Sequence, residues 1–225
     1  ESEISDEDID LCTTDLYYAL TSGEQAITDF IELNNITNTI LDFFSTAKTF
    51  NESYGLLKCI NGIIQIPPND SNPNILTVLF QQFEKMECDL FKDGDEIKYL
   101  VLFFETFHKI NFQSNELFID ELFFQHLLSF QDIDNDVDIR IILIFNQLFL
   151  TLQEYPQSLY HETINALNNA KIHIGYQCAE LLTTISNQIP DFLNEPEMIH
   201  SFMIIFNFGQ YPTRALLLKI LTIIP

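Results

Sequence analysis

The stretch that decides the fold is RIILIFNQLF, residues 140–149, inside a longer apolar run from Ile139 to Leu152. It is greasy nearly all the way round, broken only by Arg140, Asn146 and Gln147. A surface helix would show one apolar stripe; an all-round apolar helix must be covered on two sides. The run is too short and too interrupted for a transmembrane span, which needs about 18 apolar residues or more. An inner helix of a layered core is the reading that remains. Just upstream, Asp132-Ile-Asp-Asn-Asp-Val-Asp138 supplies side chains that cap exposed backbone N–H groups and suit the positive end of a helix.

Four further segments overlay on this one when started at Gly55, Lys98, Gly175 and Arg214: GLLKCINGII, KYLVLFFETF, GYQCAELLTT and RALLLKILTI. Taken in order, the five starts lie 43, 42, 35 and 39 residues apart. That spacing suits helical-pair repeats, in which one unit cannot bury its apolar face alone and stacks on its neighbours. The intervening text also has helical period. In Ala26 to Phe44, for example, Ile27, Phe30, Ile31, Leu33, Ile36, Ile40, Leu41 and Phe44 recur mostly at steps of three and four. Pro67-Pro68, Pro73, Pro156, Pro190, Pro196 and Pro212 punctuate helix ends and starts. No alternating strand pattern competes. The expected fold is all-α: about five stacked helical pairs forming an α-solenoid over 15–225, preceded by an acidic flexible tail over 1–14. An irregular helical bundle is the rival.

The 225 residues carry 33 acids and ten Lys and Arg, a formal charge of −23. A phosphate backbone meets repulsion on such a surface, so nucleic acid is not an expected partner. The charge is uneven. Residues 1–47 hold eleven acids and no Lys or Arg, whereas six of the ten bases, Lys58, Lys98, Lys109, Arg140, Arg214 and Lys219, lie on the expected helices that carry the overlaid segments. Cys12, Cys59, Cys88 and Cys178 form no Cys-x-x-Cys pair, and the N-terminal residues lack the basic-then-apolar pattern of a signal peptide. Buried free thiols in a reducing, cytoplasmic setting are expected, with no membrane partner.

Signatures of chemistry are incomplete. His161-Glu162 opens a zinc-protease pattern, but Asn165 stands where the second His belongs. The acids from Asp132 imitate a calcium loop, but Val137 replaces the required Gly and Leu143 the closing Glu. Six scattered Gly make no phosphate loop. No cofactor, metal or catalytic residue is expected. The expected function is binding, through polar positions on the overlaid helices: Lys58, Asn61 and Gln65; Lys98, Glu105 and Lys109; Arg140, Asn146, Gln147 and Thr151; Gln177, Glu180 and Thr184. An Asn or Gln carboxamide both donates and accepts, and so can hold the backbone of an extended peptide.

The segment Glu116 to Leu152 resembles an armadillo repeat, with a helix ending in Leu127-Leu-Ser-Phe130, an acidic turn and a long apolar helix. Asp15 to Ile66 is similar to the first repeat of the importin alpha family of nuclear-import adaptors. The similarity lies in the order Leu20-Thr-Ser-Gly-Glu24, a helix with Ile27 and Ile31, then Ile40-Leu-Asp-Phe-Phe44 and the helix with Leu56. The resemblance implies an armadillo/HEAT-like architecture, peptide binding on its concave face and shuttling to the nucleus. Groove helices of that family carry a Trp followed four residues later by Asn. The matching pairs here are Leu57/Asn61, Leu100/Phe104, Ile142/Asn146, Gln177/Leu181 and Leu216/Ile220, with the Asn at two and the Trp at none. The expected partner is another protein or an extended peptide segment. A further chain or partner is expected over the apolar end at Ile223-Ile224-Pro225. Alternatives are an armadillo regulatory module of a cytoskeletal or signalling assembly, like the inhibitory region of formins, and an enzyme whose site forms only in three dimensions.

Overall fold

The computed structural model describes residues 6–22, 24, 31, 35–65, 73–92, 94–110, 112 and 119–222. The Ile27, Phe30 and Leu33 positions, Pro67-Pro68 and the Ile223-Ile224-Pro225 end lie outside them. Among the described residues all regular structure is helical, and the chain divides into two compact units, Glu1–Asn111 and Phe112–Pro225. No helix among the described residues is long and apolar enough to cross a membrane.

The first unit holds α1 (Asp6–Thr21), α2 (Ile36–Thr46), α3 (Phe50–Ile64), α4 (Pro73–Phe83) and α5 (Gly94–His108). Helix α3 packs on α1 at one side and on α5 at the other, while α2 packs on both α3 and α4. The acidic segment at 1–14 was expected to be a tail; instead it is helical from Asp6 onward. Its few large apolar residues suffice because α3 offers small ones opposite. Gly55 and Gly62 face Thr13 and Leu20: a Cβ at Gly55 would collide with the Thr13 hydroxyl, and one at Gly62 would lie 3.2 Å from the Leu20 Cβ. The Cys59 thiol, between the two glycines, donates to the Thr13 carbonyl at 3.5 Å. Close approach of backbones replaces bulk as the source of contact.

Helix α2 covers the second part of the periodic run from Ala26, and Ile31, in its first part, is also helical. Asn35 adopts the left-handed conformation (φ 52°) directly before α2, a conformation that interrupts a right-handed helix and that Asn tolerates. Helix α3 starts with a capping box: the Thr49 hydroxyl accepts from the Glu52 N–H, and the Glu52 carboxylate accepts from the N–H groups of Lys48 and Thr49. Those backbone hydrogen bonds hold the Glu52 carboxyl below its ordinary pKa. The cap is therefore intact above the ordinary carboxylate range and is lost as pH falls through the depressed value. An aromatic cluster, in which Phe80 lies 5.0 Å from Phe107 and Phe83 lies 6.0 Å from Phe104, fills the space between α4 and α5.

The second unit holds α6 (Glu121–Leu128), α7 (Asn135–Thr151), α8 (Gln157–Asn168), α9 (Gly175–Gln188), α10 (Pro196–Phe208) and α11 (Tyr211–Ile220). Contacts alternate: α6 packs on α8 and α8 on α10, while α7 packs on α9 and α9 on α11. Asp120 caps α6 by accepting from the Phe123 N–H, and Asp134 caps α7 by accepting from the Asp136 N–H. Thus the acids before the deciding stretch act as helix caps. Within that stretch Ile141, Ile142, Ile144, Phe145, Leu148 and Phe149 are all buried, as an inner helix requires. Phe124 and Phe145 stack at 5.6 Å between α6 and α7.

Replacing Gly55 by Val is expected to force α1 off α3, lowering stability by about 1–3 kcal/mol, the cost of overpacking a tight contact. Urea unfolding checks this; an unchanged midpoint would show that α1 contributes nothing to the first unit.

Candidate functional site

The polar positions expected from sequence fall on α3 and α5 in the first unit and on α7 and α9 in the second, with Gln65 just past the end of α3 and Lys109 just past α5. In the first unit they converge. Asn61 is 2% exposed, and its Nδ2 donates to the Thr106 hydroxyl at 2.9 Å; that hydroxyl in turn donates to the Leu102 carbonyl at 2.7 Å. Asn61 Oδ1 accepts from Gln65 Nε2 at 2.7 Å and from Lys109 Nζ at 3.3 Å. Lys109 also pairs with Glu105 at 2.9 Å. Asn61 was expected to face a peptide; its carboxamide is instead engaged within the unit, tying α3 to α5. Thr106 was not among the sequence candidates. Its position two residues past the apolar run Tyr99–Phe104 of α5 looks like one more core place, and nothing in the text marks a partner 45 residues away.

Lys58 sits half-buried with its Nζ 4.6 Å above the Tyr54 ring. Lys98 is exposed and pairs with Asp95 at 2.7 Å, a hydrogen bond that holds its ammonium above the ordinary Lys pKa. These two cations are engaged by residues of their own helices.

In the second unit, α7 and α9 present Arg140, Asn146, Gln147, Thr151, Gln177, Glu180 and Thr184, each half-buried. The Thr151 hydroxyl donates back to the Gln147 carbonyl at 2.8 Å. Asn146 Oδ1 and Gln177 Oε1 are shielded from solvent and accept no hydrogen bond. A buried carbonyl oxygen without a donor is costly, by about 1–3 kcal/mol, and is satisfied as soon as a donor arrives.

The same unit holds a charged knot. Asp138 is 3% exposed; one oxygen accepts from the Asp132 backbone N–H at 2.9 Å, and the other lies 3.3 Å from His173 Nε2. Asp132, in the left-handed region at φ 71°, reaches Lys171 at 2.5 Å. The Asp132 hydrogen bond raises the Lys171 pKa. These contacts clasp the α6–α7 turn to the α8–α9 turn. The calcium-like run thus serves its own fold, with Val137 wholly buried where a metal loop would turn. His173 and Lys171 also line an open recess of about 880 Å³ shared with Tyr176, Phe208, Gln210 and Thr213. No candidate peptide-contact residue borders it.

The incomplete zinc pattern has its own explanation: Asn165 Nδ2 donates to the buried Glu162 carboxylate at 2.8 Å, so the residue that breaks the motif satisfies its Glu. No group of three or more His, Cys, Asp or Glu suited to a metal occurs among the described residues. Cysteine burial differs from the expectation at two positions: Cys59 and Cys178 are buried, but Cys12 is exposed and Cys88 is half-buried. Desolvation pushes the Cys59 thiol up to about 12. Burial, reinforced by the Asp138 charge, does the same to Cys178. Both stay protonated at neutral pH, and the thiolate is the nucleophile.

With this geometry in hand, comparison with known protein families, curated proteins and solved structures finds no match.

Two outcomes follow. Thr106→Val removes the acceptor for the buried Asn61 amide and is expected to cost about 1–3 kcal/mol in urea unfolding; no loss would mean that the network is ornamental. Maleimide labelling at mildly alkaline pH should modify Cys12 in the native protein and reach Cys59 and Cys178 only after denaturant is added, with mass spectrometry of the peptides as readout.

Proposed function

We propose that this protein is a non-catalytic scaffold or adaptor of armadillo-like build, a divergent relative of the nuclear-import adaptors, and that α7 and α9 hold an extended segment of another protein. The observation that carries the reading is the pair of donor-less buried carboxamide oxygens, Asn146 Oδ1 and Gln177 Oε1, on two helices packed side by side. Backbone N–H groups of an extended peptide are the donors such oxygens suit, because they recur at regular spacing and need no particular side chain. The alternating contacts α6–α8–α10 and α7–α9–α11 support stacked helical pairs, with α7 and α9 in one row. In the first unit the equivalent Asn61 is already satisfied, so the second unit carries the binding.

The import-adaptor version predicts that fluorescently labelled Lys-rich peptides bind and that added salt weakens them. Changing Asn146 and Gln177 together to Ala should reduce affinity about tenfold, the loss of one or two net hydrogen bonds. Ser129→Ala, exposed on the turn after α6, is the control. Anisotropy titration reads all three proteins. Equal affinity for wild type and double variant would remove α7 and α9 as the binding face. Binding of uncharged but not basic peptides would keep the scaffold and discard the import-adaptor version.

A further inference from the structure

The first and last described helices each leave one flank exposed, and the two flanks match. On α1, Leu11, Asp15 and Tyr18 follow one another at i, i+4 and i+7, so they share a face. Leu11 is 63% and Tyr18 66% exposed, while Thr13 and Leu20 on the opposite flank are buried against α3. On α11 the same spacing recurs in Arg214, Leu218 and Leu221; Leu218 and Leu221 are 51% and 52% exposed, while Thr213, Leu217 and Ile220 are buried. Each stripe thus has two large apolar side chains and one charge, and the charges are opposite. Scattered exposed apolar residues need no explanation, but two of them beside a charge on one helix flank, repeated on a second helix with inverted sign, do.

The surrounding charge makes the match sharper. Residues 1–47 carry −11 with no Lys or Arg, whereas residues 198–225 contain no acid at all and carry Arg214 and Lys219. In a chain of 33 acids this is a 28-residue stretch with a net +2. Arg214 donates to the carbonyls of Phe206 and Asn207 at 3.0 and 2.9 Å, which holds its guanidinium at the end of α10. Lys219 is exposed and has no ion pair among the described residues.

We propose that the occupant of the α11 flank is α1 of a second copy of this chain, so that the protein associates head to tail. Leu218 and Leu221 of one copy cover Leu11 and Tyr18 of the next, and the acid-free end lies against the acid-rich one. Such an interface joins two different patches of the same molecule. Each copy therefore keeps one head and one tail free, and assembly continues until a ring closes or concentration limits it. A second copy is favoured over an unrelated partner because both halves of the complementary pair are on this one sequence.

Single-end variants test this in sedimentation velocity on the whole 225-residue chain. Wild type should show a weight-average mass that rises with concentration, with affinity falling about tenfold between low and high salt, as screening of opposite charges requires. Tyr18→Asp blocks the head and Leu218→Asp the tail, and each alone should remain monomeric. An equimolar mixture of the two should form a discrete dimer, since one intact tail then meets one intact head. Both positions are exposed, and circular dichroism of each variant confirms folding. A wild type that stays monomeric up to about 200 µM, where even a weak association shows, overturns the proposal. So does Tyr18→Asp that still dimerises, which would mean tail-to-tail contact, and so does a mixture that stays monomeric. Neither variant touches Asn146 or Gln177, so this result stands or falls apart from peptide binding.

Discussion

Everything in the second unit depends on covering α7. A helix with Ile141, Ile142, Ile144, Phe145, Leu148 and Phe149 all buried has no solvent face wide enough to end a layer. It needs α9 at one side and aromatic contact from α6 at another. Once α9 lies beside α7, its own apolar residues pack on α11, and the connecting helices α8 and α10 pack on each other. The alternating packing is thus a consequence of one over-greasy helix passing its deficit to the next. Farther along that row, Leu218 and Leu221 stand exposed.

The first unit answers a related constraint differently. Its second-row helix α3 is poorer in bulk, and it gains contact by letting α1 come close over Gly55 and Gly62. Proximity brings polar backbone into the interface, which the Cys59 thiol and the Thr13 carbonyl accommodate. On the other side of α3, contact with α5 is polar, through Asn61 and Thr106. Low dielectric strengthens that network as long as every member has a partner, and every atom of the Asn61 carboxamide with a described role is engaged. The corresponding row in the second unit leaves two carboxamide oxygens without donors. This asymmetry between units is what the proposal of peptide binding on α7 and α9 rests on.

Charge follows the same division of labour. The acids before α7 are spent on caps and on the clasp between Asp138, His173, Asp132 and Lys171, so they shape turns rather than hold a cation. Of the six bases read from sequence on the groove helices, four are engaged locally: Lys98 with Asp95, Lys109 with Glu105, Lys58 over Tyr54, Arg214 on the end of α10. Electrostatics here organises helix ends and neighbouring residues; net acidity of the whole chain is left over as a long-range field.

The sequence by itself determined the helical class, the positions of most helices and the identity of the inner ones, because periodicity, proline and capping residues act over a few residues. RIILIFNQLF could only be an inner helix, and Asp134 could be recognised as its cap from the order of residues alone. Helix α1 was missed because its stability comes from two glycines more than 40 residues away, which look like interruptions until a backbone is laid against them. Among the polar candidates, Asn61 and Asn146 read alike in the text, each four residues after an apolar position. Only tertiary structure decided that one meets Thr106 and the other meets no donor, since hydrogen-bond satisfaction is a property of neighbours in space and a linear sequence records only neighbours along the chain.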